Sequence, residues 1–206
     1  MTAPLRAMTT FGAIILAAGE SSRMGMPKAL LLWRGRSFLE NIADVLRRSG
    51  VNFIRVVASV GMEKAIRDHL SSPGIELVVN PDPGRGQLSS LQCGLQDFPA
   101  DVALVCLVDH PKISTSLIVE LKEACLGTDA LAVIPRHQNR RGHPIALNRE
   151  LIQAMLAAPE TSTPKQILLQ YWPRVLEMET ADPGIVADVD TPEDYERFLE
   201  TKFPER

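Results

Sequence analysis

Short apolar runs rich in β-branched residues alternate along this chain with segments of helical periodicity. The runs are AIILAA from Ala13, FIRVVAS from Phe53, IELVVN from Ile75, VALVCLV from Val102 and ALAVIP from Ala130. Helical spacing of apolar residues predicts helices between these runs, over 39–46, 65–70, 88–98 and 114–127. Near-continuous apolar strands separated by helices are typical of buried parallel sheets. The pattern therefore predicts an α/β fold of Rossmann-like order, with a mainly parallel sheet covered by helices on both faces.

The length and the two ends of the chain bound its organisation. At 206 residues the chain is long enough for one sizeable domain and too short for two. The start MTAPLRAMTT lacks the basic segment, apolar centre and cleavage site of a signal peptide, so residues 1–11 are expected to be a frayed or disordered N-terminus before a domain over 12–206. After residue 135, GHPIALNRE, RVLEMET and GIVADVD are predicted as short strands, including an antiparallel addition to the sheet. TPEDYERFLETKF is predicted as a final helix capped by Thr191.

The composition disfavours several classes of partner. The formal net charge is −3, so no nucleic acid polymer is expected to bind. No apolar run approaches the roughly 18–20 residues of a membrane span, and no membrane association is expected. The three cysteines, Cys93, Cys106 and Cys125, lack the spacing of a metal site, and their odd number favours a reduced, cytoplasmic compartment.

The segment LAAGESSRMGMPKALL, from Leu16 to Leu31, follows the first predicted strand and carries two glycines and two basic side chains. Gly19 and Gly25 permit a close approach of the backbone to a ligand, and Arg23 and Lys28 add positive charge. The spacing fits neither the GxGxxG loop of dinucleotide-binding proteins nor the Walker A loop. A plain strand-to-helix turn with solvated charges is the alternative, but the concentration of these residue types favours a polyphosphate site.

Two aspartates end apolar segments, where parallel sheets bind their ligands. Asp109 follows VALVCLV and Asp190 follows GIVADV. Loops at the carboxyl ends of the strands form the ligand crevice of such sheets, and Mg²⁺ is commonly held by one or two carboxylates with water and phosphate. Asp109 could instead be a turn residue, and Asp190 could be a helix cap in competition with Asp188 or Thr191.

The glycine segment resembles the signature LAxGxSxRMGxxK of the MobA-like NTP transferases. Every fixed position is met, by Leu16, Ala17, Gly19, Ser21, Arg23, Met24, Gly25 and Lys28. LVDHP resembles the family's strand-end D-x-P, and DVDTPEDY resembles its D-x-D-T-P-E-D. Ala18 stands where the guanylyl-transferring branch typically has glycine, which resembles the cytidylyl-transferring branch of the molybdenum cofactor enzymes. That branch often has Gln where this chain has His110.

The resemblance implies a nucleotidyltransferase that moves CMP from CTP to a phosphate-bearing acceptor, molybdopterin above all, and releases pyrophosphate. Arg23, Lys28 and Asp109 are then expected to be catalytic, and Asp109 and Asp190 to hold Mg²⁺. The residues expected to bind the nucleotide are Leu16, Ala17, Ala18, Gly19, Ser21, Ser22, Arg23, Gly25, Lys28, Asn80, Gly86 and Ser90. The element RGHP, which recurs in the cytidylyl branch near the second substrate, implies that Arg141, Gly142 and His143 bind the acceptor.

Alternatives within and beyond this chemistry stay open at the level of sequence. A related transferase would use GTP, or a sugar or alditol phosphate as acceptor, and a protein of another class would bind the nucleotide without turnover. No serine has a histidine at motif spacing, so direct displacement by the acceptor phosphate is favoured over a covalent intermediate. A transient contact with a molybdoenzyme or its chaperone is expected only if the acceptor is molybdopterin.

Overall fold

The computed structural model describes residues 9–19, 24–70 and 74–201. The strands in these ranges are β1 (Phe11–Leu16), β2 (Leu32–Trp33), β3 (Arg36–Ser37), β4 (Phe53–Ser59), β5 (Ile75–Asn80), β6 (Val102–Leu107), β7 (Ala132–His137), β8 (Arg140–Arg141), β9 (Ile145–Asn148) and β10 (Val175–Glu179). The helices are α1 (Phe38–Arg48), α2 (Glu63–His69), α3 (Gln87–Leu95), α4 (Thr115–Gly127), α5 (Arg149–Ala157), α6 (Pro164–Gln170) and α7 (Pro192–Glu200). Within the same ranges, no helix has the length and apolarity required to cross a membrane.

One large sheet contains all of these strands except the β2–β3 hairpin. Its order is β10-β7-β9-β6-β1-β4-β5, with β8 also paired to β7. β1 runs parallel to β4 and β6, and Leu16 at its end lies opposite Val57 and Leu107. β9 runs antiparallel between β6 and β7. The predicted mainly parallel sheet with an antiparallel addition is confirmed, and the carboxyl ends of β1, β4, β5 and β6 meet at one edge.

The core lies in two layers, one on each face of the sheet. Along β1 and its extension, Ala13, Ile15 and Ala17 pack into a cluster with α1, α2 and α4. Ile14, Leu16 and Ala18 point to the other face and pack with α3 and α5. This alternation is the two-residue period of a strand that is buried on both faces. It explains why the sequence of β1 is apolar throughout, and it confirms helices on both sides.

The N-terminal boundary differs from the prediction. β1 begins at Phe11, within the segment expected to be frayed, and Thr10 is already anchored. Both the backbone N–H of Thr10 (3.0 Å) and its hydroxyl (2.8 Å) donate to Asp101 Oδ2. The backbone N–H groups of Asp101 and Val102 donate in turn to the Thr10 carbonyl, each at 3.1 Å. Residues 1–8 of the predicted N-terminal segment lie outside the described residues.

The segment GIVADVD was predicted as a strand, and that prediction was wrong. Pro183–Val186 form a single turn of 3-10 helix, and no strand follows before α7. Pro183 has no N–H to give to a sheet, and two backbone groups of the segment bond to neighbouring loops. The Ile185 carbonyl accepts from the N–H of His143 (3.1 Å), and the N–H of Val189 donates to the Asp109 carbonyl (3.1 Å). The segment therefore crosses the carboxyl edge of the sheet instead of extending it.

The final helix docks through an aromatic cluster. Thr191 caps α7 in a capping box with Asp194, as the TPED pattern predicts. The Phe198 ring of α7 lies 5.1 Å from Phe38 and 5.5 Å from Trp33 between ring centroids. These contacts hold the last turn of α7 against α1 and the β2–β3 hairpin.

The three cysteines are free thiols, as their spacing predicts. Cys106 is buried in β6, and burial raises the pKa of its thiol. Burial also raises the pKa of Cys125 to about 12 and that of Cys93 above its ordinary value. All three thiols are therefore protonated at neutral pH, and Cys106 serves as a small core hydrophobe.

Candidate active site

A cavity of about 410 Å³ opens at the carboxyl edge of the sheet, where the predicted ligand crevice was expected. Its size lies in the range of small-molecule sites in proteins. The predicted nucleotide and metal residues that line it are Leu16, Ala17, Ala18, Gly19, Lys28, Gly86, Ser90, Asp109 and Asp190. These residues come from four separate stretches of the chain, so the fold brings together what the sequence keeps apart.

The loop after β1 forms one wall of the cavity. Its backbone leaves the sheet at Ala17, whose N–H donates to the Val57 carbonyl at 2.8 Å. Ala18 also lines the cavity and is almost completely buried, with its side chain in the core cluster that includes α3 and α5. Gly25 has a φ of 65°, a left-handed conformation that favours glycine and turns the chain back toward Lys28. The predicted phosphate contacts Ser21, Ser22 and Arg23 lie outside the described residues.

Lys28 links Asp109, which follows β6, to Asp190, which precedes α7. Its Nζ lies 3.3 Å from Asp109 Oδ2 and also donates to Asp190 Oδ1. All three side chains are at least half-buried, and Lys28 is 13% exposed. The backbone bond from Val189 N–H to the Asp109 carbonyl holds the two acidic loops side by side. Two carboxylates therefore converge on a single cationic group at the wall of the cavity.

The same pair of carboxylates fits a divalent metal ion. Both carboxylates reach Lys28 Nζ, so they are close enough to each other to bind one metal ion together. Asp109 Oδ1 is buried and has no hydrogen-bond partner among the described residues, so it keeps lone pairs that a metal ion could use. No group of three or more His, Cys, Asp or Glu side chains in the described ranges has the geometry of a metal site. Two carboxylates with phosphate and water complete an Mg²⁺ shell, whereas they would not make a structural zinc site.

The loop before α3 closes the opposite side of the cavity. The Asn80 amide is buried and donates to the hydroxyl oxygens of Ser89 (2.9 Å) and Ser90 (3.0 Å). Its carbonyl oxygen accepts from the Asp82 N–H at 3.0 Å. Asn80 does not itself line the cavity, and its contacts orient the Ser90 residue that does. Gly86 stands at the N-cap of α3 with a φ of 96°, which favours glycine and leaves the cavity side of this turn without a side chain.

The residues predicted to bind the acceptor are placed differently from one another, and none of the three lines this cavity. Arg141 lies on β8, where its guanidinium pairs with Glu177 and stacks 4.5 Å above the Trp172 ring. Gly142 is buried against Ile185. His143 is half-buried, and its Nδ1–H donates to the Val105 carbonyl at 3.3 Å.

Two imidazoles lie beside Asp109 on the β9 side. The rings of His110 and His143 are 5.7 Å apart between centroids. Burial, followed by the neighbouring His110, lowers the pKa of His143 to about 4. His143 is therefore a neutral imidazole at physiological pH, with Nδ1 protonated and Nε2 carrying the lone pair. It can orient its loop and accept a hydrogen bond, but it brings no positive charge to an anionic acceptor.

Several residues line the cavity that sequence reasoning missed. They are Pro27, Ala29, Met62, Pro83, Gln87, Leu107 and Val108. The position of Met62 could have been predicted from the sequence. It follows the end of β4, and β4 is the parallel neighbour of β1, so the loop after it must reach the same edge. Gln87 contributes an exposed amide at the first turn of α3, next to the glycine that was predicted.

Comparison with known proteins decides the family. The model of the MobA-like NTP transferase domain matches residues 13–175. The chain belongs to this family. A curated relative that is 28% identical over 197 residues, covering 94% of this chain and 100% of its own, is the molybdenum cofactor cytidylyltransferase of Escherichia coli strain K12. At 29% identity over 197 residues, covering 90% and 95% of the two chains, a further relative is the nicotine blue oxidoreductase of Paenarthrobacter nicotinovorans.

A solved structure agrees with this assignment of the fold. Rv0371c of Mycobacterium tuberculosis H37Rv superposes with a TM-score of 0.79 at 27% identity, over 94% of this chain and 98% of its own. The MobA-like chain is thus an α/β nucleotidyltransferase, an enzyme of the transferase class. The relatives carry names of two different activities at nearly equal identity, so overall similarity does not select the reaction. That choice rests on the site.

Proposed function

We propose that this nucleotidyltransferase moves CMP from CTP to a phosphate-bearing acceptor, molybdopterin above all, and releases pyrophosphate with Mg²⁺ as cofactor. The observation that carries the proposal is the convergence of Asp109 and Asp190 on Lys28 at the wall of the cavity. Binding a nucleotide alone, or transferring a hydride, does not require two carboxylates around one cationic point. A reaction between two phosphate groups needs cations to neutralise both anionic reactants, and a pair of carboxylates can hold such a metal ion.

The residues of the cavity would have separate roles in such a transfer. Lys28 would hold the triphosphate and balance the charge that moves to the departing pyrophosphate. Arg23 is predicted to share that role. Asp109 and Asp190 would hold Mg²⁺, which when bound supplies charge neutralisation and polarises the phosphate. The acceptor phosphate then attacks in line, and the walls of the cavity hold the reactants in that alignment.

CTP is favoured over GTP by Ala18. This residue lines the cavity, and alanine at this position resembles the cytidylyl-transferring branch, whereas the guanylyl-transferring branch typically has glycine. The name of the Escherichia coli relative, a cytidylyltransferase that this chain matches over nearly its whole length, supports the same nucleotide.

The acceptor is proposed to approach over the end of β6 and the start of β9. His143 and the basic hairpin with Arg140 and Arg141 lie on that side, and Arg141 would contact the acceptor by exchanging its partner Glu177 for a phosphate. The free thiols accord with a reduced, cytoplasmic setting, in which a molybdoenzyme or its chaperone would receive the product.

The first experiment titrates CTP, GTP, ATP and UTP calorimetrically into the protein with Mg²⁺. We expect CTP to bind most tightly and Asp109→Ala to weaken its binding. Asp101→Ala is the matched control, because Asp101 stands at the other end of β6. A preference for GTP would overturn the reading of Ala18, and binding of no nucleotide would overturn the proposed site.

The second experiment measures pyrophosphate release from CTP with molybdopterin or with a sugar or alditol phosphate. Release that depends on both metal and molybdopterin is the expected result. Release with the sugar phosphate alone would assign a different acceptor to the same chemistry. Tight binding of CTP without release in any mixture would identify a binding protein and refute the transferase reaction.

A further inference from the structure

The residues from 182 to 190 form a strap that crosses the carboxyl edge of the sheet and ends at Asp190. At its start, Asp182 accepts from the N–H of Ser114 (3.0 Å) and from that of Gly184 (2.8 Å). In its middle, the Ile185 carbonyl accepts from His143 N–H at 3.1 Å. At its end, Val189 N–H donates to the carbonyl of Asp109 at 3.1 Å. The strap is thus fixed at three points before it delivers the second aspartate of the cavity.

The middle of the strap has no space to spare. A Cβ atom added to Gly142 would lie 2.6 Å from the carbonyl carbon of Ile185, 2.7 Å from its Cβ, and closer still to its carbonyl oxygen. On the strap itself, a Cβ atom added to Gly184 would lie 2.7 Å from the Lys112 carbonyl carbon. Real Cβ atoms essentially never approach other atoms so closely, so a side chain at either glycine must displace backbone.

The direction of that displacement follows from which side is held more firmly. Gly142 lies between β8 and β9, and its own N–H donates to the Pro135 carbonyl of β7 at 3.0 Å. The strap has no sheet partner, and it is held by isolated hydrogen bonds and by the buried side chains of Ile185 and Val189. Because Gly142 is anchored next to the sheet, a methyl group there would displace the Ile185 backbone, and the shift would pass along five residues to Asp190.

We propose that Gly142 is a positioning residue, which sets Asp190 against Lys28 and Asp109 through the strap and does not contact the acceptor. This inference rests on the proposed function, since it concerns the metal site of that reaction. It gives the RGHP element a different role from the one that its resemblance implies: the glycine keeps the metal-binding aspartate in place. A side chain added at position 142 should weaken metal binding before it affects the binding of the nucleotide or the acceptor.

The test compares Gly142→Ala with Gly127→Ala. Gly127 ends α4, has no atom within 4 Å of an added Cβ, and lies outside the cavity, so it is a matched control for the same chemical change. Mn²⁺ is titrated into each variant with saturating CTP and followed by electron paramagnetic resonance. CTP binding in EDTA is measured by calorimetry, and unfolding by circular dichroism.

Wild type and Gly127→Ala are expected to bind Mn²⁺ alike, and Asp190→Ala to bind it poorly. Gly142→Ala should bind Mn²⁺ about 10-fold more weakly, the lower end of the range for groups that orient metal ligands, with CTP binding in EDTA unchanged. Equal Mn²⁺ binding by Gly142→Ala and wild type would overturn the inference and leave the proposed function standing. A raised acceptor KM at unchanged Mn²⁺ affinity would overturn it too, in favour of direct acceptor contact.

Failure of the wild type to bind Mn²⁺ with CTP would instead refute the metal site of the proposed function, and the inference with it. If Gly142→Ala does not fold, Asp182→Ala replaces it, because this change releases the start of the strap without adding an atom. Weaker Mn²⁺ binding by Asp182→Ala is then expected, and unchanged binding would overturn the inference.

Discussion

An aspartate lies near each end of β6, and the two carboxylates differ in how completely their oxygens are hydrogen-bonded. Asp101, just before the strand, accepts hydrogen bonds from the N–H and the hydroxyl of Thr10 and pairs with Arg149 at 2.9 Å. These contacts, with the bonds to Thr10 first, hold the pKa of Asp101 below its ordinary value. Asp109, just after the strand, shares Lys28 with a second carboxylate and keeps one buried oxygen without a partner among the described residues.

The helix starts differ in whether a side chain caps them. Side-chain caps begin α1, α4, α5, α6 and α7, at Ser37, Ser114, Asn148, Thr163 and Thr191. The N-caps of α2 and α3 are Met62 and Gly86, which provide no side-chain cap, and both line the cavity. The polar contacts of Asp101 are complete at the amino edge of the sheet, whereas among the described residues Asp109 Oδ1 has no hydrogen-bond partner and the starts of α2 and α3 have no side-chain cap. Such unsatisfied groups cost stability, and this cost is a mark of a functional site.

The largest expected effect separates the two aspartates by activity. Asp109→Ala should lower kcat about 100-fold to 1,000-fold, the range for removing a group that stabilises charge in a transition state. The melting temperature should not fall, because Lys28 keeps its bond to Asp190 and a buried unpartnered oxygen is removed. Steady-state kinetics and thermal unfolding measure the two quantities. Activity of Asp109→Ala close to that of the wild type would refute the catalytic role of Asp109 that distinguishes it from Asp101.

The next effect concerns Lys112, a buried cation at the carboxyl edge. Its Nζ donates to the Phe198 carbonyl at 2.7 Å and lies 3.7 Å from the centre of the Phe198 ring. Burial, followed by the charge of Arg34, lowers the pKa of Lys112 from 10.5 to about 8. The unfolded chain therefore binds more protons than the folded one between these two values. The contribution of Lys112 to the free energy of unfolding should rise with pH across that window and stay constant below it.

Chemical denaturation between pH 7 and pH 10 measures this effect against Lys112→Met. The stability of the wild type should improve with pH relative to the variant, which has the same shape without the charge. If the free energies of unfolding of the two proteins change with pH in parallel, burial does not disfavour the charged form of Lys112. Lys112 would then not be one of the polar groups that cost stability at this edge.

The smallest expected effect is on stability at the amino edge. Asp101→Ala should lower the free energy of unfolding by about 1 kcal/mol at pH 7, since it breaks hydrogen bonds that are partly exposed to solvent, and should leave kcat unchanged. The wild-type contribution is fully present above the unfolded pKa, about 3.9, and is lost as pH falls through the lower folded value. Urea denaturation from pH 6 to pH 2.5 should therefore bring the two proteins closer together. A difference independent of pH would show that the carboxylate charge is not what stabilises this edge.

Much of the fold was predictable because its signals are local. The β4 and β5 boundaries agree with the predicted runs, and Gly50 ends α1 with a φ of 74° as a glycine after a helix should. Helix α5 was missed although Asn148 caps it and Leu151, Ile152 and Met155 form its buried face. Its nine residues are too few for periodicity to stand out from the strand that precedes them.

The sequence by itself determined the alternation of elements, the two-faced burial of β1 and the family, because each of these depends on residues close together in the chain or on a continuous motif. It also predicted that the segments ending in Asp109 and Asp190 would reach the ligand crevice, and both residues line the cavity. Only the tertiary structure decided how those ends meet: that Lys28 lies between Asp109 and Asp190, 81 and 162 residues away along the chain. It alone decided that GIVADVD is a strap instead of a strand and that Gly142 is packed against it. Contacts between distant segments depend on how whole elements pack, and no local pattern encodes them.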